Sequence, residues 1–165
     1  MEQATIPAGT RIGHVHLKVA DLGRAVEFYR DVMGFELVVR FGEQAAFLST
    51  GGYHHHIGLN TWESQGGTPP ARGTTGLYHF AINHPERRDL AVALKRVLDS
   101  GWTIDGASDH GTHEAIYMHD SDFNGIELAW DRAQSEWPVV NDQVQFSTNP
   151  LDFDGLMAEI GAVAP

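Results

Sequence analysis

A histidine-bearing strand that runs directly into a capped helix occurs twice in this chain, and that repetition restricts the fold more than any other feature. In the first copy, Gly13-His14-Val15-His16-Leu17-Lys18-Val19 alternates, with Val15, Leu17 and Val19 on one face and His14, His16 and Lys18 on the other. Asp21 is placed to cap a helix. Leu22, Ala25, Val26, Tyr29, Val32 and Met33 then recur at helical intervals until Gly34 stops it. In the second copy, Leu77-Tyr78-His79-Phe80-Ala81-Ile82 is the strand and Pro85 occupies a favourable first-turn position. Leu90, Ala93, Leu94, Val97 and Leu98 make the apolar stripe, and Gly101 closes the helix.

Three short strand patterns follow each helix. In the first copy they cover 35–41, 45–50 and 53–62, and in the second 102–107, 114–119 and 126–131. The stretch 63–75 contains Gly66-Gly67 and Pro69-Pro70, has no periodicity and reads as a linker. The chain is therefore expected to be one α+β domain over residues 1–165, built from paired βαβββ modules at 11–62 and 76–131. Residues 1–10 read as a loosely packed arm, and 132–165 as a tail with a short helix from Asp152 to Ile160.

A chain of 165 residues buries about 70% of its unfolded surface in a single core. The 22 acidic and 11 basic residues leave a net charge of −11 without a basic cluster, which argues against nucleic acid and anionic membranes as partners. No apolar run reaches the roughly 20 residues that span a bilayer, and the first residues lack the features of a signal peptide. A cytoplasmic location is expected. The absence of cysteine removes thiolate ligands and thiol nucleophiles.

Ten histidines remain as the chemically informative residues. If the first strands of the two modules lie side by side, His14 and His79 face one another, and Glu127 in Asn124-Gly125-Ile126-Glu127-Leu128 is placed to add a carboxylate. His16 shares a face with His14 and competes for the role. The internal run His54-His55-His56 lies in a strand pattern. In a regular strand His55 points opposite to its two neighbours, so either His55 or His56 faces the site, depending on a bulge.

The motifs His14-x-x-x-Lys18-Val19-x-Asp21-Leu22, Phe28-Tyr29-Arg30-Asp31-x-x-Gly34-Phe35 and Asp120-x-Asp122-x-Asn124-Gly125-Ile126-Glu127-Leu128, with the His79 strand, resemble the vicinal oxygen chelate superfamily over residues 11–131. That superfamily includes glyoxalase I, drug-resistance proteins and extradiol dioxygenases. The resemblance implies a curved mixed sheet around a metal held by His14, His79 and Glu127. Two imidazoles and one carboxylate suit Fe(II), with Mn(II) possible, and leave one face of the ion open to a chelating substrate and O2.

Within the superfamily the chain looks most like the catechol 2,3-dioxygenase type. His54-His55-x-Ile57-Gly58-Leu59 resembles the histidine pair of those enzymes, with His55 in the place of the acid/base; Tyr117 matches a tyrosine ahead of the carboxylate ligand, and His110 lies near the place of a further histidine. Glyoxalase I adds a glutamate in the fourth strand, where this chain has Gly58. The type usually has Pro-Asp-Gly where Ser121-Asp122-Phe123 stands here, and two pairs of modules rather than one. The resemblance thus implies ring cleavage of a catechol-like aromatic diol by O2, with a metal-dependent lyase or isomerase, or a small-molecule binding or resistance protein, as the other readings. A homodimer is expected.

Overall fold

Hydrogen bonding sorts the strands into two four-stranded mixed sheets with the same internal order. The structure, a computed structural model, describes residues 5–161. The first sheet contains β1 (Val15–Lys18), β2 (Glu36–Phe41), β3 (Ala45–Ser49) and β4 (Ile57–Asn60) in the order β1-β4-β3-β2, with β1 parallel to β4. The second contains β5 (Phe80–Asn83), β6 (Gly106–Asp109), β7 (His113–His119) and β8 (Gly125–Asp131) in the order β5-β8-β7-β6, with β5 parallel to β8. A parallel first pair needs a crossover, which α1 (Leu22–Glu27) and α2 (Arg87–Asp99) provide. The α+β architecture of two βαβββ modules is the one the repeat predicts.

Local chemistry sets the helix ends. The Asp21 carboxylate accepts from the Arg24 amide at 2.9 Å as the cap of α1. A π-helical turn (Phe28–Val32) continues α1, and Gly34, at φ 86°, turns the chain into β2. Helix α2 begins after Glu86, whose amide donates to Asp89 at 3.2 Å, so Pro85 precedes the cap instead of occupying the first turn.

The alternating apolar faces meet in one core that runs through both modules and includes Leu17, Val19, Leu48, Leu90, Ile116 and Ile126. Burying each large side chain contributes about 1.5–3 kcal/mol. Two polar bridges also tie the modules: the Tyr29 hydroxyl donates to Asp120 at 2.9 Å in a buried contact, and Arg24 pairs with Asp122 at 2.8 Å. His14, His16 and Lys18 stand on the opposite face of β1 from the core.

Several expectations shift. β1 and β5 are not hydrogen-bonded to each other; each is the outermost strand of its own sheet. They border a groove of about 800 Å³ lined by Ile12, His14, Phe35, His79, Ile82 and Arg96, among others. The expected strand over 53–62 is regular only at β4, because 53–56 bends before it. The expected strand over 102–107 begins late, at Gly106. Trp102 is held back by its indole N–H, which donates to the His119 carbonyl at 2.9 Å, and by its ring against Phe28. Of the expected N-terminal arm, residues 1–4 lie outside the described residues, while 5–10 are exposed and have no helix or strand.

The tail holds more structure than its polar sequence suggests: β9 (Val139–Val140) and β10 (Gln143–Val144) form a hairpin, and α3 (Phe153–Ala158) packs on α2. Arg87 on α2 ties β7 to the end of α3, bonding Glu114 at 2.9 Å and Glu159 at 2.9 Å. Among the described residues, no helix is long and apolar enough to cross a membrane.

Candidate metal and substrate site

The second sheet gathers an acid–base cluster around one carboxylate. Glu127 on β8 is 6% exposed. Its Oε2 lies 2.9 Å from Nε2 of His79, and its Oε1 lies 3.2 Å from Nε2 of His113. Gly125 permits the first contact, because a Cβ there would collide with the Tyr78 carbonyl and press on the Cβ of His79. Tyr117 on β7 pairs in register with Glu127, so both side chains leave the same face of the sheet. Its hydroxyl is 2.7 Å from Nε2 of His110, and its ring centroid is 5.6 Å from that of His79. Burial pushes the Tyr117 phenol above the usual tyrosine value, and the Glu127 charge adds to the effect.

The first sheet carries the other predicted residues. The bend at 53–56 breaks the regular alternation across the histidine run, and His56 lines the groove together with His14 and His79. His55 comes onto the His14 side, with ring centroids 4.3 Å apart, and also meets the edge of Phe47 at 5.1 Å. His56 instead meets Ser49 Oγ through Nδ1 at 2.9 Å and packs near buried Phe35. Partial burial, followed by the neighbouring His14 and His54, holds the His55 pKa below the ordinary histidine value.

His16, though exposed, has neighbouring rings on two sides. It lies in register with Gly58, and a Cβ at 58 would come within 3.0 Å of its ring. The rings of Phe47 and Trp62 flank it at 5.7 and 5.5 Å.

Two imidazoles and a carboxylate are suitable donors for a divalent ion, but one chain does not assemble the predicted set. His79 and Glu127 meet, whereas His14 lies with His55 on the other sheet. Among the described residues, no group of three or more His, Asp or Glu side chains is arranged to hold a metal ion. β1 and β5 border the same groove without pairing, so His14 and His79 both line it from different sheets.

Sequence reasoning missed His113 because the expected strand started one residue later, at Glu114. The signal was present: His113, Ala115 and Tyr117 alternate on the face that bears the site.

The glyoxalase/bleomycin resistance protein/dioxygenase superfamily model matches residues 11–129. A catechol-2,3-dioxygenase from Bacillus subtilis (strain 168) is 36% identical over 159 residues, covering 95% of this chain and 54% of that protein. The chain therefore spans about half the length of that relative. Among solved structures, a glyoxalase/dioxygenase from Nostoc punctiforme superposes with a TM-score of 0.63 at 18% identity, covering 79% of this chain and 99% of the other. A lactoylglutathione lyase from Agrobacterium tumefaciens gives a TM-score of 0.59 at 21% identity, covering 75% and 96%. At these identities the structural matches speak to the fold alone.

Proposed function

The chain belongs to the glyoxalase/bleomycin resistance protein/dioxygenase superfamily, and from that membership we propose that it is a metal-dependent extradiol dioxygenase, opening the ring of a catechol-like diol with O2. The observation that carries this reading is that each group of candidate metal donors has acid–base chemistry beside it. His55 stacks on His14, and the Tyr117–His110 pair stands next to His79 and Glu127.

These residues suit the proton traffic of such a reaction. A diol must lose a proton to chelate, and His55, disposed to be neutral, is the base that takes it and later returns it. Tyr117 meets a substrate oxygen from the other side, with His110 bonded behind it. Iron(II), or manganese(II) in its place, would supply the electron chemistry through which O2 reacts with the diol.

Gly58 separates this reading from a glyoxalase-like lyase. A fourth ligand, a carboxylate at 58, would have to displace the His16 ring that occupies its space. The 36% identity to a protein named catechol-2,3-dioxygenase supports the same choice.

The chain is proposed to act as a homodimer, in which His14 and His55 of one copy meet His79 and Glu127 of the other. This pairing supplies the third donor that a single chain keeps apart.

Anaerobic loading with Fe(II), followed by catechol, 4-methylcatechol or 3,4-dihydroxyphenylacetate and then O2, tests the activity. A yellow ring-opened product is expected. Iron-loaded protein that colours none of the three would exclude ring cleavage of simple catechols and favour a lyase or a binding protein.

A further inference from the structure

The tail beyond the second module is joined to the candidate site through one backbone carbonyl. Residues 147–149 run antiparallel to the end of β6, the outer strand of the second sheet. The Asp109 amide donates to the Asn149 carbonyl at 2.9 Å, and the Asn149 amide returns a bond to the Asp109 carbonyl at 3.0 Å. The Ser147 amide donates to the His110 carbonyl at 3.1 Å. The tail thereby covers an edge that would otherwise expose unpaired backbone groups. Arg132 braces the same corner, binding Asp109 through two bonds of 2.8 and 3.0 Å.

Within this frame, Nδ1 of His110 lies 2.7 Å from the Ser147 carbonyl oxygen, and Nε2 lies 2.7 Å from the Tyr117 hydroxyl. A carbonyl oxygen only accepts, so Nδ1 must carry the hydrogen. In the neutral ring Nε2 is then a lone-pair acceptor, and the hydrogen between it and Tyr117 belongs to the phenol. A side-chain partner could rotate and reverse this polarity; a backbone carbonyl pinned by three neighbouring strand bonds cannot. His113, stacked on His110 with centroids 4.7 Å apart, further restricts the ring.

We propose that the 147–149 segment is a positioning element for the site: the Ser147 carbonyl fixes the His110 tautomer, His110 takes the Tyr117 hydrogen, and the phenol oxygen therefore meets a ligand as a hydrogen-bond acceptor. The inference about the ligand rests on the proposed function. The ligand oxygen next to Tyr117 must be a donor, which a singly ionised diol offers through its remaining hydroxyl. A doubly ionised diol or a methyl ether offers none there.

The test does not require activity. Long-range ¹H–¹⁵N correlation spectra of the full chain at about pH 8, above the ordinary histidine value, separate protonated from lone-pair ring nitrogens, and His110→Gln identifies the signals by their loss. The expected result is a protonated Nδ1 and a lone-pair Nε2. In Ser147→Pro, which removes the amide bond to His110, the ring should move toward the other tautomer, while Ser147→Ala keeps the carbonyl and the wild-type pattern. An Nε2–H or doubly protonated ring in the wild-type protein would overturn the proposal, as would an unchanged tautomer in folded Ser147→Pro. If Ser147→Pro does not fold, the wild-type and Ser147→Ala spectra still decide the tautomer. A dead enzyme with the expected tautomer would count against the proposed reaction and leave this inference standing.

Discussion

Nε2 of His79 lies 2.9 Å from one oxygen of Glu127, while Nε2 of His113 lies 3.2 Å from the other. A single nearly buried carboxylate is thus oriented by two imidazoles, one a candidate ligand and the other its support. Removing a residue that orients a metal ligand typically weakens affinity by about 10–100-fold. His113→Ala should therefore lower the affinity for Fe(II) or Mn(II) by about that factor, as measured by equilibrium titration, while His79→Ala should abolish specific binding. Equal effects of the two substitutions would make His113 a ligand rather than a support.

The bend before β4 sets His55 against His14, and the proposed acid–base role rests on that contact. His55→Ala is expected to reduce turnover by about 100-fold or more with metal content unchanged. Because burial and its histidine neighbours lower the His55 pKa, the base form persists below the ordinary histidine value of about 6.5. The acidic limb of kcat/KM should accordingly fall below that pH in the wild-type enzyme and be missing from the residual activity of His55→Ala. His56, held by Ser49, should leave the limb in place when replaced; loss of the limb in His56→Ala alone would transfer the role.

The separation of His14 from His79 and Glu127 predicts complementation between inactive variants. His14→Ala and Glu127→Ala should each be inactive alone. Mixed after unfolding and refolding together, they should give hybrids of the proposed dimer in which one site carries both lesions and the other none, so activity should return. No recovery from hybrids demonstrated by mass spectrometry would mean that each chain builds its own centre.

Much of the fold was legible because it rests on local patterns: alternation in β1 and β5, the Asp21 cap, and the stops at Gly34 and Gly101. The parity of 53–56 was not legible, since a bend of a few residues changes which histidine lies against His14 without changing the alternating pattern. Nor was the missing β1–β5 ladder, because pairing between distant edges leaves no periodic trace in either strand. The departure at Ser121-Asp122-Phe123 did have a readable consequence. Phe123 adopts φ 63°, a conformation natural to the glycine that usually occupies the turn and costly by about 1–2 kcal/mol for other residues. Its neighbours compensate, with both oxygens of Asp120 accepting from Asn124 and one also from the Asp122 amide.

The same turn is joined to the first module by the buried Tyr29–Asp120 bond, and this makes stability depend on alkaline pH. Burial, followed by the Asp120 charge, raises the Tyr29 pKa well above its ordinary value of about 10. The folded protein therefore holds the proton more tightly than the unfolded chain. The contribution is complete below about pH 10 and is lost as pH rises toward the folded-state value. Tyr29→Phe should cost about 1.5–3 kcal/mol near neutral pH and flatten this alkaline decline in urea midpoints. A decline of equal steepness in the variant would assign it to other groups.

The centre itself is tested most directly by iron content. Wild-type protein and the variants His14→Ala, His79→Ala and Glu127→Ala are loaded anaerobically with Fe(II), desalted and assayed for metal. About one ion per chain is expected in the wild type, held by two imidazoles and a carboxylate, with loss of that ion in each of the three variants. Wild-type protein without iron, or a His14→Ala variant that retains it in full, would contradict a centre built from His14, His79 and Glu127.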